Sequence, residues 1–568
     1  MTAADPVTTE VVRNFVTACA EDMNAALWRS AYSAVIYEGR DSAVALLDSK
    51  GNMLGQSTGV PLFIGAIDAC VHHVMDYYGE DIRPGDVFIM NDSYLQGTHL
   101  HDVTAIGPIF HGERLVGFGA ARAHWSDIGA IDPGSTMGST SIYHEGLRLG
   151  PTRIISAGKP IREWYDHLRL NTRLPKCSIG DLNAQIAAIK TGQRRLGQLL
   201  DRIGPDVYDA ACQNIFEQAR ELDRKAIAEL NEGTFYREGC LDDDGFGDEP
   251  IKVAVTLTIK GEEMVIDLAG TSGPVAGSVN CGAVQTVSLL RLAYKSMINP
   301  DRAITGGSFE TMKVKIPDEC VFNAREPAAC EWYFTGLGLL ADLMISCISE
   351  AMPERATAAH YGDSMVSAYF AVDSERGSWI AIEPTAGGWG ARADGDGEDA
   401  LINLVNGSFR NMSAEIYETK FPVRVERFAF NPDSGGPGRW RGGCGVIRVF
   451  KMLEDCHGAL WFDRSVTTAW GLAGGSSGRG PANCITFPDG SVERPLKMRA
   501  RPLPAGTIVE TTTGGGGGYG DPMARPCENV QVDVRRGFVS REEAAKQYGV
   551  HFNDDLTVDG ARSLPRSA

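Results

Sequence analysis

Hydrophobic and polar positions along the chain change period several times, and each change predicts an element. Asp5-Pro6 supplies a capping carboxylate and a proline suited to the first helical position. Val12, Phe15, Val16, Cys19, Met23 and Leu27 then follow at helical spacing. From Asp41 to about residue 124 the pattern shortens to strands. Residues 43–47 form one, ended by the turn Asp48-Ser-Lys-Gly-Asn52, and residues 86–90 another, stopped by Asn91-Asp92. Residues 103–110 and 115–123 predict a hairpin about His111-Gly112-Glu113. A helical stretch covers about 181–231, with Leu182, Ile186, Ile189, Leu196, Leu199 and Leu200 on its apolar face, and Gly204-Pro205 breaks it in two. β-type alternation then dominates at 251–259, 263–268 and 312–316, interrupted by buried helices over 283–298 and 335–350. From Pro422 onward the pattern is β with glycine-rich turns.

These elements predict an α+β protein of multidomain mixed sheets, with a helical segment in the middle and a β-rich, Gly-rich C-terminal region. With 568 residues the chain is too long for one core. The pattern divides at 1–235 (a metal-binding α+β unit that includes the helices), 236–420 (mixed α/β) and 421–568 (β-rich). Glycine sharpens this picture: 66 of the 568 residues are glycine, about 12% against the usual ~7%. Two dense segments, 434–445 and 513–522, are predicted to be ordered turns with several glycines at positive φ.

Net charge is −19, which argues against nucleic acid or an anionic membrane as the main partner, since both require a basic surface. No uninterrupted apolar run reaches the ~18–20 residues of a membrane span. The opening Met-Thr-Ala-Ala-Asp-Pro lacks the basic and apolar parts of a secretion signal. The 13 cysteines are dispersed singly, with no Cys-x-x-Cys pair, as expected for buried free thiols in a reducing compartment. A cytoplasmic protein is therefore expected.

Candidate chemistry concentrates in one place. His99-Leu-His101-Asp102 and His124-Trp-Ser-Asp127 combine the imidazoles and carboxylates that suit a borderline divalent ion. The predicted hairpin brings the two segments together in either of two registers. Pairing Phe110 with Arg114 sets Leu100 opposite His124 and makes Asp102 a diagonal neighbour. A two-residue turn sets His101 opposite His124 and makes His99 the diagonal neighbour. Facing side chains lie about 5 Å apart at Cβ, within reach of one ion. Elsewhere the signals are weaker. Gly515-x-Gly-x-x-Gly520 runs into Asp521-Pro522 rather than a helix, so it is a turn and not a dinucleotide loop. Neither a phosphate-binding P-loop nor a serine nucleophile is expected. The acidic segments 242–245 and 394–399 do not complete a calcium-loop spacing. Cys281 and Cys444 are expected to be packed inside.

The strings Asn91-Asp-Ser-Tyr-Leu-Gln-Gly-Thr-His-Leu-His-Asp-Val-Thr104 and Ala121-Arg-Ala-His-Trp-Ser-Asp-Ile-Gly129 resemble the hydantoinase B/oxoprolinase family. So do Asp181-Leu-Asn-Ala-Gln185, Gly277-Ser-Val-Asn-Cys281, Gly387-Gly-Trp-Gly-Ala391 and both glycine-rich segments, in order over nearly the whole chain. Members are B-type subunits of ATP-dependent N-methylhydantoinase, oxoprolinase and caprolactamase, with acetone and acetophenone carboxylases more distant. The resemblance implies one divalent ion (Zn, Mn or Fe) on Asp41, His99, Asp102 and His124. It leaves His101 outside the ligand set, with Asp127 or His101 as proton-handling groups. It implies an A-type, actin/hexokinase-like ATPase partner that binds ATP-Mg, in a heterotetramer of two A and two B chains, acting on a small cyclic amide. The function so implied is ATP-dependent opening of a hydantoin or lactam ring. The alternative is a component of an ATP-dependent ketone carboxylase. The chain is short for the large subunit of an acetone carboxylase, which favours the hydrolase.

Overall fold

The computed structural model describes residues 4–559 except 373, 375 and 376. The last nine positions of the expected 421–568 unit therefore lie outside the described residues. The chain opens with α1 (Pro6–Ser30), capped by Asp5, whose carboxylate accepts from the Val7 and Thr8 amides. Its apolar stripe, Val12, Val16, Cys19, Met23 and Leu27, is fully buried.

A seven-stranded sheet follows, built from β1 (Ser42–Asp48), β2 (Met53–Gln56), β3 (Val87–Met90), β4 (Asp102–His111), β5 (Arg114–His124), β6 (Thr152–Ser156) and β7 (Lys159–Pro160). Its order is β2-β1-β5-β4-β3-β6-β7. The region between β2 and β3, expected to be only strands, also holds α2 (Ile67–Tyr78). Ile67, Cys70, Val71 and Val74 are spaced for a helix and all face the core. The helical middle starts six residues earlier than expected, as α3 (Pro175–Ile203), and breaks at Gly204 into α4 (Pro205–Ala228). Helix α3 packs on α1 and across β4 and β5, so it backs the strands that carry the histidines.

A second sheet, β8 (Gly233–Leu241), β9 (Ile251–Lys260), β10 (Glu263–Asp267) and β11 (Met312–Lys315), packs against α5 (Ala283–Met297) and α6 (Tyr333–Ala351). Helix α6 is long and apolar enough to cross a membrane, but 89% of that window is buried inside this fold. One hydrophobic cluster joins the first sheet, the second sheet and Trp461, crossing the expected boundary near residue 235. The C-terminal region forms a five-stranded sheet and half of a four-stranded one, whose other two strands, Val366–Ala371 and Trp379–Glu383, precede the expected boundary at 421; two helices, Cys527–Arg536 and Arg541–Tyr548, follow that the β pattern did not announce.

The glycine-rich segments overturn the turn expectation. Of the six glycines over 514–520, only Gly520 has positive φ. The others are required by close backbone contact. The amide of Gly516 donates to Gly443 O at 3.0 Å, and Gly436 N donates to Gly516 O at 2.8 Å. Gly517 N donates to Ala359 O, and Ala391 N to Gly517 O, both at 2.8 Å. Backbones of the segments around 359, 389, 436, 443 and 516 thus stack with no side chains between them. A Cβ on Gly516 would sit 1.9 Å from Trp389 O, and one on Gly517 2.0 Å from Trp470 O. We expect Gly516→Val to cost more than about 3 kcal/mol, read as a fall in melting temperature. A variant that melts like the wild type and loses only activity would show that this segment is a functional loop instead.

Candidate metal centre

The hairpin of β4 and β5 follows neither expected register. Its tip pairs His111 with Arg114 and Phe110 with Leu115, as a two-residue turn requires, but Ile109 then pairs with Gly117. Val116 is an extra residue on β5, a β-bulge, and beyond it the register moves by one. Asp102 therefore lies directly opposite His124. Gln185 on α3 holds this end of the hairpin, donating to Val103 O at 2.7 Å and Ala121 O at 2.8 Å and accepting from Trp125 Nε1 at 3.0 Å.

His99 reaches the same spot from the loop before β4. Gly97, at φ 81°, turns the chain there, and a Cβ would meet Ala66 and Val284 at under 3 Å. Gln96 Nε2 donates to His99 O (3.1 Å) and Asp102 O (2.8 Å), while Asn91 Nδ2 donates to Leu100 O (2.7 Å). These amides satisfy the carbonyls of a buried loop that has no sheet partner. Asp41 immediately precedes β1, after Arg40 at φ 59°, and its carbonyl accepts from the His124 amide at 3.1 Å.

Three ligand-type side chains converge. His99 Nε2 lies 3.2 Å from His124 Nδ1 and 3.3 Å from Asp102 Oδ2, and His124 Nδ1 lies 3.2 Å from Asp102 Oδ1. Ligand atoms of a tetrahedral site with bonds of ~2.1 Å stand about 3.4 Å apart, so this spacing fits one ion. Asp102 Oδ2 is buried and, beyond the 3.3 Å approach of His99 Nε2, accepts no hydrogen bond among the described residues, an atom that a cation would satisfy. Asp41 lines the same cavity. Burial raises its carboxyl to about 6, against the pull of His124 and His99. Burial also opposes ionisation of Asp102, yet the His99 and His124 imidazoles hold its carboxyl well below the usual range. Burial alone would lower His99; the Asp102 and Glu331 carboxylates outweigh it and hold the imidazolium well above its ordinary value.

Glu331 was not anticipated. Its Oε1 lies 3.2 Å from His99 Nδ1 and 3.3 Å from His101 Nδ1, and its carboxyl is held low by the two imidazoles against burial. The signal in the sequence is a single acid inside the apolar run Ala328-Ala-Cys-Glu-Trp-Tyr-Phe334. The loop carrying it is pinned from three sides. Asn280 Nδ2 donates to Ala329 O, Trp332 N donates to Ser278 O, and Glu145 Oε1 accepts from the Cys330 and Glu331 amides. Burial and the Glu331 charge raise Glu145 to about 8.

The two residues expected to handle protons lie apart from the cavity. His101 is fully buried, stacks on His124 with ring centroids 5.4 Å apart, and is not among the cavity-lining residues. Asp127 binds the Arg173 guanidinium at 2.8 Å and the Thr172 hydroxyl at 3.0 Å, fixing the turn into α3. Gly-x-Ser-x-Gly letters occur at Gly55–Gly59 and Gly474–Gly478, contrary to what a chain without a serine nucleophile would suggest. The Ser57 hydroxyl reaches only Thr58 O, at 3.4 Å, and Ser476 lies among the stacked glycine backbones, so neither has a histidine to activate it. The acidic segments act as structural caps and ion pairs: Asp242 accepts from the Ser465 and Val466 amides, Asp399 binds Arg441, and Asp396 binds Arg525. Cys281 and Cys444 are buried.

The family model for hydantoinase B/oxoprolinase matches residues 5–522. The chain belongs to the hydantoinase B/oxoprolinase family. It is 30% identical to the B-type subunit of a putative D-/L-hydantoinase of Pseudomonas sp., over 98% of this chain and 96% of that one. It is 28% identical to the beta subunit of the caprolactamase of Pseudomonas jessenii, over 99% and 98%. The crystal structure of the ATP-dependent caprolactamase from that organism superposes with a TM-score of 0.92 at 26% identity, covering 98% of each chain. Acetone carboxylase shares the fold, with a TM-score of 0.90 at 19% identity over 98% of this chain and 81% of that one. Within the strings that carry the resemblance, the side-chain amides of Asn91, Gln96, Gln185 and Asn280 are spent on backbone groups around the centre.

Two measurements test this centre. If the centre binds a divalent ion, alanine at His99, Asp102 or His124 should abolish that binding and lower the melting temperature measured with the ion, because a site joining distant segments stabilises the fold when filled. His101→Ala should retain a full equivalent. Full metal content in both His99→Ala and His124→Ala would show that the ion sits elsewhere. The second measurement concerns Glu145, raised from an ordinary 4.5 to about 8, so folding takes up a proton between those values. Stability of the metal-free chain should be highest below pH 4.5 as far as this group is concerned, and fall as pH rises towards 8. Glu145→Gln should flatten that fall, and an unchanged slope in urea titrations at several pH values would refute the assignment.

Proposed function

We propose that this chain is the metal-holding B-type subunit of an ATP-dependent cyclic amide hydrolase that opens a hydantoin or lactam ring. The observation that supports it is the convergence of His99 Nε2, His124 Nδ1, Asp102 and Asp41 on one buried cavity, in a chain similar over its length to one component of a hydantoinase and one of a caprolactamase. Asp41, His99, Asp102 and His124 are the proposed ligands. An ion bound there (Zn, Mn or Fe) would supply Lewis acidity and a water of lowered pKa.

The remaining steps belong to this chain's own residues. Glu331 is placed to accept from His99 Nδ1, which would fix the tautomer that leaves Nε2, on the side of Asp102 and His124, available as the ligand atom. Glu145, by holding two amides of the Glu331 loop, sets where that carboxylate stands. Tyr333 lines the cavity from the first turn of α6 and is placed to donate its hydroxyl proton to a substrate oxygen. His101 and Asp127 act by position, through the stack on His124 and the clamp on Arg173, rather than by touching substrate.

Ring opening of an unstrained amide in water needs activation, and the chain has no P-loop. We assign ATP-Mg binding and the phosphoryl step to an A-type ATPase partner, in a complex of two A and two B chains. The pure single chain should hydrolyse no ATP and open no ring. Co-expressed with an A-type partner it should form a stable complex that opens a cyclic amide in step with ATP hydrolysis. ATP hydrolysis by the single chain would refute the division of labour. Fixation of labelled bicarbonate into a ketone, with no ring opening, would show the carboxylase reading to be the correct one.

A further inference from the structure

Apart from the four proposed ligands, the cavity wall is apolar or neutral. Apolar side chains, among them Val60, Leu62, Phe63, Phe334, Val366 and Val405, supply most of it, and its polar groups are Ser135, Tyr333, Ser364 and Asn406. Among the described residues, not one lysine or arginine lines it. Arg122, which reaches Phe63 O behind the wall at 3.4 Å, is engaged by Thr104 Oγ1, Gln96 O and Cys70 Sγ.

Hydrogen bonds fix which way Asn406 points. The Asn406 amide N–H donates to Asn403 Oδ1 at 2.9 Å, which orients the Asn403 side chain. Asn403 Nδ2 is then turned to donate to Asp363 O (2.9 Å) and to Ser364 Oγ (3.1 Å). With its oxygen receiving that bond, Ser364 donates its own proton to Asn406 Oδ1 at 2.6 Å. The backbone N–H therefore sets the polarity of the whole relay, and the Asn406 carbonyl is consumed by it. What remains for the cavity is the Asn406 NH2, a pure donor.

Resting on the cyclic amide reading above, we infer that this cavity selects rings without a charged substituent, with Asn406 Nδ2 donating to a ring carbonyl and the apolar wall covering an alkyl or aryl group. A ring bearing a carboxylate, such as 5-oxoproline, would bring a negative charge into a cavity whose wall has no lysine or arginine among the described residues, and where Asp41 and Asp102 already balance the imidazoles and the proposed ion. Unpaired, that charge loses its hydration without replacement, a penalty that discriminates against the charged ring. Specificity here is set as much by what the wall lacks as by what it offers.

The test compares 5-oxoproline with 5-oxoprolinamide, a near-isostere without the charge, and with a 5-isopropylhydantoin. Equilibrium binding to the full-length, metal-loaded chain is measured by calorimetry, and kcat/KM on the complex with its ATPase partner. The neutral rings should be favoured over 5-oxoproline by at least ~100-fold. Val405→Arg, which adds the missing cation, should narrow that ratio. Asn406→Ala should weaken the neutral rings by about tenfold with metal content unchanged, alongside a modest fall in melting temperature from the lost Ser364 bond. Equal affinity for 5-oxoproline and its amide overturns the charge selection while leaving cyclic amide hydrolysis standing. Undiminished binding by Asn406→Ala overturns the role of that residue. Turnover of ketone and bicarbonate with no ring bound at all would overturn the functional reading itself, and this inference with it.

Discussion

Carboxylates and imidazoles cannot share a dry interior unless opposite charges face one another, and the fold around the first sheet and the Glu331 loop meets that condition for Asp102, Glu331 and three histidines. Asp102 faces His124 across the hairpin and His99 along the loop, and Glu331 faces His99 and His101 from the other side. Without such pairing a buried ion costs several kcal/mol. The bulge at Val116 decides the arrangement, since a shift of one residue would turn Asp102 to the opposite face of the sheet.

The supporting structure is largely made of side-chain amides. Loops that carry His99 and Glu331 run through the interior, where their carbonyls have no water and no neighbouring strand. Asn91, Gln96, Gln185 and Asn280 take the place of those partners. A ligand held by several such bonds keeps its position when the site is empty or filled, so metal binding need not first order the loop. The backbone stack of glycines solves a related problem in the C-terminal region. There chain segments satisfy one another's amides directly, and the absence of Cβ atoms is what allows the approach.

Position in the fold also explains why the cavity is shared. His99, Asp102 and His124 come from the first sheet, Trp332 and Tyr333 from the start of α6, and Ser364, Val366 and Asn406 from segments beyond it. On the proposed reading, the ligand residues and most of the wall are thus supplied by separate segments.

Much of this was legible in the sequence. Period-3.6 and period-2 patterns located α1, the two middle helices, the hairpin and the long buried helix to within a few residues, because each is decided by the burial of one face. The clustering of His99, His101, Asp102, His124 and Asp127 suggested a metal site, and only the resemblance of local motifs to the family singled out Asp41, His99, Asp102 and His124 within it. Tertiary structure alone decided the rest. The bulge at Val116 leaves no mark in the alternation of apolar residues, since both faces of that hairpin are buried. Glu331 lies more than two hundred residues from the histidines it faces, and only packing of α6 on the second sheet brings it there. The glycines read as turns from composition, whereas their reason, backbone against backbone at a distance that admits no side chain, exists only once distant segments have met.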